Sequence, residues 1–189
     1  LEDAIREIHR ILNRGKRFRK FHRIMKLLHS RGYEAGNYRE TPQRGTDYLA
    51  PTSKDVPPLM RSFGEKLDEL MRNPMNDEQA RLVGGWALAM MIRVHPFADG
   101  NGRTTRTLIN LILAKAGHST IDFPSDSEIY KKSSIWSAFK SHMHQVRAEL
   151  GWSLKNGSIP PKGYYVLLRE SLEDEINSVS LDRLSDRSD

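Results

Sequence analysis

The sequence predicts an all-α fold, a helical bundle carrying one short β-hairpin. Three observations point there. Apolar residues recur at three-to-four spacing along most of the 189-residue chain. One stretch, residues 80–94, is apolar nearly all round, which suits the central helix of a bundle. Glycine, proline, tyrosine and threonine gather between residues 31 and 51, the one place where a hairpin fits.

In chain order, residues 1–13 are expected to form a short helix and residues 18–29 a second, separated by Asn13, Arg14 and Gly15. Residues 8–31 carry nine Lys/Arg and no Asp or Glu, within a net charge of +6. Ile11, Leu12, Phe18, Phe21, Ile24, Leu27 and Leu28 lie beneath that basic face. Such a segment suits nucleic acid, an anionic surface or an acidic protein. It equally suits a solvated helix face, and the charge names no partner. Weak strands are expected near residues 38–41 and 46–49, turning at Arg44 and Gly45.

A helix then begins after residues 53–55, with Pro57 and Pro58 in its first turn, where a missing N–H costs nothing. Met60, Phe63, Leu67, Leu70 and Met71 mark its apolar face, and Asn73-Pro74 ends it. Asn76 or Asp77 can cap the helix over residues 80–94. After the break at His95-Pro96 and a glycine-rich turn, a helix is expected from Arg103 to Gly117. The rest reads as extended at 119–125, helical at 126–150, a Pro/Gly loop at 157–163, an amphipathic helix at 164–178 and a fraying tail at 185–189. One domain accounts for the length.

No apolar run approaches the roughly 18 residues of a membrane-spanning helix, and no leader is visible before Leu1. Cysteine is absent, which removes disulfides, thiol nucleophiles and cysteine-ligated metals. A reducing cytoplasm is the expected location, with delivery into a host cell as a secreted effector left open.

The stretch His95-Pro-Phe97-Ala-Asp99-Gly100-Asn101-Gly102-Arg103-Thr-Thr-Arg106 carries the chemistry. A helix starting after a glycine-rich turn directs unpaired N–H groups and the positive end of its dipole at an anion. Arg103 and Arg106, three apart, can face the same anion with forked donors. Asp99 supplies a hard oxygen of the kind that holds Mg²⁺ together with substrate phosphates. His95 is the nearby group able to take a proton at neutral pH. Base, carboxylate, anion nest and two arginines form an inventory for transferring a phosphorus-containing group from a nucleotide. The bland reading stays open at this level: a structural histidine before proline, and an ordinary turn in which Asp99 caps the next helix.

The same twelve residues closely resemble the signature of the Fic (filamentation induced by cAMP) domain family, His-x-Phe-x-Asp/Glu-Gly-Asn-Gly-Arg-x-x-Arg. All of its specified positions match: His95, Phe97, Asp99, Gly100, Asn101, Gly102, Arg103 and Arg106. The resemblance runs over roughly residues 35–150. It includes Gly36-Asn-Tyr38-Arg39, which looks like the lead into the family's target-docking flap.

The resemblance implies a Fic-type bundle with a β-hairpin flap over the site, and transfer of AMP from ATP to a Tyr, Ser or Thr hydroxyl of a target protein, releasing pyrophosphate. It implies that His95 is the base and that Asp99 holds Mg²⁺ bridging the α- and β-phosphates. Gly100, Asn101 and Gly102 would form the anion hole, with Asn101 orienting phosphates. Arg103 would grip the β/γ end and Arg106 the γ-phosphate, while Phe97 anchors the loop. Tyr38, Arg39, Thr46, Asp47 and Tyr48 would belong to the flap that docks the target, with Tyr38 and Tyr48 the nearest candidates for self-modification. Relatives that use another nucleotide, such as UTP or GTP, and a catalytically silent nucleotide-binding regulatory module are the alternatives. His95 favours an enzyme, because a site that only binds has no need of a base.

Many family members restrain themselves with a Ser/Thr-x-x-x-Glu-Gly/Asn helix whose Glu pairs with the second motif arginine. Ser171 and Glu175 have that spacing, on the final amphipathic helix. The resemblance therefore implies a Glu175–Arg106 pair that inhibits, although Ile176 stands where the pattern has Gly/Asn. A separate antitoxin-like inhibitor or a homo-oligomer is the other implied form of partner. The organisation expected is a basic helical segment over residues 1–34 packed on the core, a Fic core over 35–150, and a C-terminal helix and tail over 151–189.

Overall fold

The computed structural model describes residues 1–13, 34–40, 50–123 and 163–185. Its elements are α1 (Glu2–Asn13), α2 (Val56–Leu70), α3 (Asp77–Val94), α4 (Asn101–Lys115), α5 (Tyr164–Ser178) and the short α6 (Leu181–Ser185). No strand occurs among the described residues. Residues 38–40 run as loop where the first strand was expected, and residues 41–49, the remainder of the hairpin, lie outside the described residues. So do the helices expected at 18–29 and 126–150.

The start of α3 follows from its sequence. Asn76 Oδ1 accepts the Gln79 N–H at 2.8 Å, and Gln79 Oε1 accepts the Asn76 N–H at 3.1 Å. This reciprocal capping box satisfies two donors that the helix leaves open. Between the two ends nearly every side chain is buried, from Ala80 and Val83 through Trp86, Met90 and Met91 to Val94. Helix α3 is therefore the centre of the bundle, packed by α2, α4 and α6. Helix α1 lies across α2 and α4, and α5 packs on α2 through Tyr164, Leu168, Leu172 and Ile176. Ile11, expected beneath the basic face, is instead 65% exposed.

Two close approaches set the spacing of the layers. A Cβ at Gly84 would lie 3.3 Å from Ile109 Cγ2, so α3 and α4 pack with little room between them. A Cβ at Gly64 would lie 2.8 Å from the backbone nitrogen of Glu2, where the first turn of α1 crosses α2. Backbone cannot swing aside as a flexible side chain can. Gly64→Ala is therefore expected to destabilise the fold by about 1–3 kcal/mol despite the better helix propensity of alanine. Denaturant melts of the two proteins check this, and a variant as stable as wild type would mean that α1 shifts freely.

Beyond α4, residues 118–123 have no regular secondary structure. Asn110 pins them from α4, donating to the Ile121 carbonyl at 2.9 Å and accepting its N–H at 2.8 Å. Helix α6 follows a break after Val179. Leu184 is its buried residue, three positions after Leu181.

Candidate active site

The turn from α3 to α4 builds the site. His95 is the C-cap of α3 and adopts a left-handed conformation, φ 48° and ψ 60°, the one positive φ outside glycine among the described residues. Such a backbone is costly for a residue with a Cβ and persists where its surroundings hold it. Arg39 does the holding. Its Nε donates to the His95 carbonyl at 2.7 Å, and its Nη2 donates to the carbonyls of Pro51 at 2.6 Å and Val94 at 3.3 Å. The Arg39 N–H also donates to the Pro96 carbonyl at 2.9 Å. Burial, and then the positive charge of Arg39, push the His95 imidazole below the ordinary histidine pKa of 6.5. A neutral imidazole at pH 7 is ready to accept a proton.

The next residues close the turn. Asn101 Oδ1 accepts the Phe97 N–H at 3.0 Å and its Nδ2 donates to the Phe97 carbonyl at 2.7 Å. Phe97 is fully buried and stacks on the His9 ring at 3.8 Å between centroids. The Asn101 amide thus staples the loop together. Its two hydrogen bonds fix the backbone of the turn from behind, at the residue expected to help orient the phosphates.

Gly100 is the N-cap of α4 with φ 81°, and it offers no side chain to the first-turn N–H groups. Gly102 is exposed, and among the described residues nothing beyond its own turn of helix stands within 4 Å of where a Cβ would lie. The uncapped first turn of α4, with the positive end of its dipole, is the kind of place that attracts an anion. Arg103 on that turn and Arg106 on the next are both half-buried. The Arg106 side chain makes no hydrogen bond or ion pair to another described residue.

Asp99 is partly exposed, with its Oδ2 3.7 Å from Arg103 Nη2. Among the described residues no group of three or more His, Asp or Glu could cage a metal ion. One carboxylate beside an anion nest still fits Mg²⁺, which keeps most of its waters and is commonly shared between a side chain and substrate phosphates.

Two site residues escaped the sequence reading, and both come from α1. His9 is fully buried. Its Nδ1 accepts the Gly36 N–H at 2.8 Å, so its Nε2 carries the proton and donates to the Asp99 carbonyl at 2.8 Å. Desolvation lowers its pKa and keeps it neutral. The second is Asn13, whose Oδ1 accepts from Arg103 Nη2 at 2.5 Å. A faint signal existed for His9, which stands four residues after the buried Ile5 and so shares its helix face.

Three expectations need correction. Arg39 is 3% exposed and sits beneath the turn from α3 to α4, not on a docking edge, because the carbonyl groups of Pro51, Val94, His95 and Pro96 converge on it. Tyr38 donates its hydroxyl to Glu2 Oε1 at 2.8 Å, lies over Phe97, and has its pKa pushed well up, first by burial and then by that hydrogen bond. A phenol so held is a poor self-modification site. Glu175 pairs with Arg93 in the last turn of α3, not with Arg106. The reason is the neighbouring Ile176, buried to 1%, which draws that face of α5 into the core and Glu175 with it. Ser171 lies one turn earlier on α5, while Thr46, Asp47 and Tyr48 lie outside the described residues.

Comparison with known proteins agrees with this geometry. The Fic/DOC family model matches residues 1–113. The chain is similar to the protein adenylyltransferase Fic of Nematostella vectensis, 38% identical over 93 residues, covering 48% of this chain and 21% of that protein. It is similar to the protein of the same name in Drosophila grimshawi, 31% identical over 98 residues, covering 52% of this chain and 20% of that one. The chain thus matches about a fifth of the length of these curated relatives. Among solved structures, a Fic domain containing signaling protein from Bacteroides thetaiotaomicron shares the fold at a TM-score of 0.50 and 19% identity, covering 98% of this chain and 60% of that one.

Proposed function

The chain belongs to the Fic/DOC family, and on that premise we propose that it is a protein adenylyltransferase, moving AMP from ATP to a hydroxyl side chain of a target protein. The observation that carries the reading is a half-buried histidine in a left-handed turn, followed by an uncapped helix N-terminus that bears two arginines. His95 takes the proton of the target Tyr, Ser or Thr hydroxyl. The freed oxygen attacks the α-phosphorus, a new P–O bond forms, and the bond to the α,β-bridging oxygen breaks with pyrophosphate leaving. The N–H groups of the first turn of α4 meet the charge that grows on the phosphate oxygens. Arg103 and Arg106 hold the β/γ end and keep the leaving group in line. Asp99 is the residue that would hold Mg²⁺, which when bound neutralises phosphate charge.

Incubating the purified protein with cell lysate, Mg²⁺ and ATP labelled at either the α- or the γ-phosphate tests the reading. Label from the α-position, but not the γ-position, is expected on protein. Parallel α-labelled UTP, GTP and CTP report whether another nucleotide serves better. Transfer of γ-label would make the protein a kinase instead. Tight ATP binding with no transfer would leave a regulatory module.

A further inference from the structure

Arg103 Nη2 stands between two acceptors on different elements. Asn13 Oδ1, at the end of α1, lies 2.5 Å away, and Asp99 Oδ2, on the turn, lies 3.7 Å away. The Asn13 amide is itself fixed. Its Nδ2 donates to the His9 carbonyl at 2.8 Å, which settles which end of the amide faces the guanidinium. The amide also lies across Gly100, where a Cβ would come within 2.6 Å of Nδ2 and 2.8 Å of Oδ1. Gly100 therefore serves two purposes, its left-handed backbone and room for Asn13.

We infer that Asn13 is a positioning residue for Arg103, an inference that rests on the nucleotide reading above. A neutral acceptor orients the guanidinium without cancelling its charge. Without it, the Asp99 carboxylate, four residues before Arg103 in the loop that precedes α4, is within reach. Closing that gap would form an ion pair. The pair would turn Arg103 away from the phosphates and occupy the carboxylate that suits Mg²⁺. Asn13 thus keeps cation and anion apart, so that each faces the ligand. Its effect should fall on the β- and γ-phosphates, where Arg103 acts, and not on the nucleoside end.

Calorimetric titration with Mg–ATP and with AMP tests this on wild type, Asn13→Ala and Asn13→Asp, with circular dichroism to verify folding. Asn13→Ala is expected to bind Mg–ATP about tenfold more weakly, the scale of one charge-assisted hydrogen bond. AMP affinity should remain within a few-fold. Asn13→Asp, nearly the same shape, should lose more, because its carboxylate neutralises Arg103 outright. Mg–ATP affinity unchanged in both variants overturns the inference, as does an equal loss for AMP and ATP, which would mark a structural role. Failure of wild type itself to bind Mg–ATP overturns the nucleotide reading beneath it and is read separately.

Discussion

Replacing His95 with alanine is expected to cut AMP transfer by ~10²–10⁴-fold while leaving Mg–ATP affinity within a few-fold. In the proposed binding mode the nucleotide contacts come from the N-terminal turns of α4 and their arginines, not from the imidazole. The loss should therefore appear in turnover. The pH dependence carries the same argument with a defined sign. Burial and the Arg39 charge lower the imidazole pKa from 6.5, and a base acts in its deprotonated form. The neutral imidazole thus survives to lower pH than that of an ordinary histidine. Transfer should fall with acidification at a midpoint below 6.5, and the fall should be absent from the residual rate of His95→Ala. An unaltered rate in the alanine variant removes His95 from the chemistry. A wild-type midpoint above 6.5 removes the proposed electrostatics.

Glu175→Ala should lower the free energy of unfolding by about 3–5 kcal/mol, the usual result of stranding a buried charge. Arg93 is 2% exposed and Glu175 12% exposed, so neither can turn to bulk water for compensation. Replacing both together, Arg93→Met with Glu175→Met, should recover most of the loss, because two apolar side chains of similar volume carry no desolvation penalty. Chemical melts of the single and double variants measure this directly. The same proteins, exposed to Mg–ATP and weighed intact, address the inhibitory role that the Ser171–Glu175 spacing suggests. With Glu175 paired to Arg93, equal AMP adducts are expected in wild type and Glu175→Ala. Stability unchanged and adducts raised would return Glu175 to the role of a brake on Arg106.

What the sequence made legible was what short-range periodicity encodes. The apolar face of α2, the all-round burial of α3 and the full extent of α5 follow from spacing within a few turns. The turn from His95 to Arg106 was legible as chemistry because its residues are contiguous and their geometry is local. Only the start of α4 moved, to Asn101, since Gly100 at the N-cap lets the helix begin at once. Contacts made across long sequence distances escaped. Arg39 reads locally as a polar residue of a hairpin, yet its partners are 12 and 56 residues away. His9 and Asn13 sit on a helix whose charge pattern looks merely solvated, and their partners in the turn are 90 residues distant. Glu175 illustrates the reverse error: a spacing that fits a motif says nothing of which arginine faces it, and packing of Ile176 decided that.

The hydrogen bonds at Gly36 have a topological consequence. Its N–H reaches His9 and its carbonyl accepts from Arg6 Nε at 2.9 Å, so the chain leaves α1 and returns to nearly the same point. The path between Asn13 and Gly36 is a closed circuit whose two ends are tied at the turn that holds Asp99. The entropy of closing such a circuit grows only with the logarithm of its length. The contacts that hold the turn belong to the two ends of that circuit, His9 and Gly36, and not to what lies between them. The geometry on which the proposed transfer depends is anchored at that crossing.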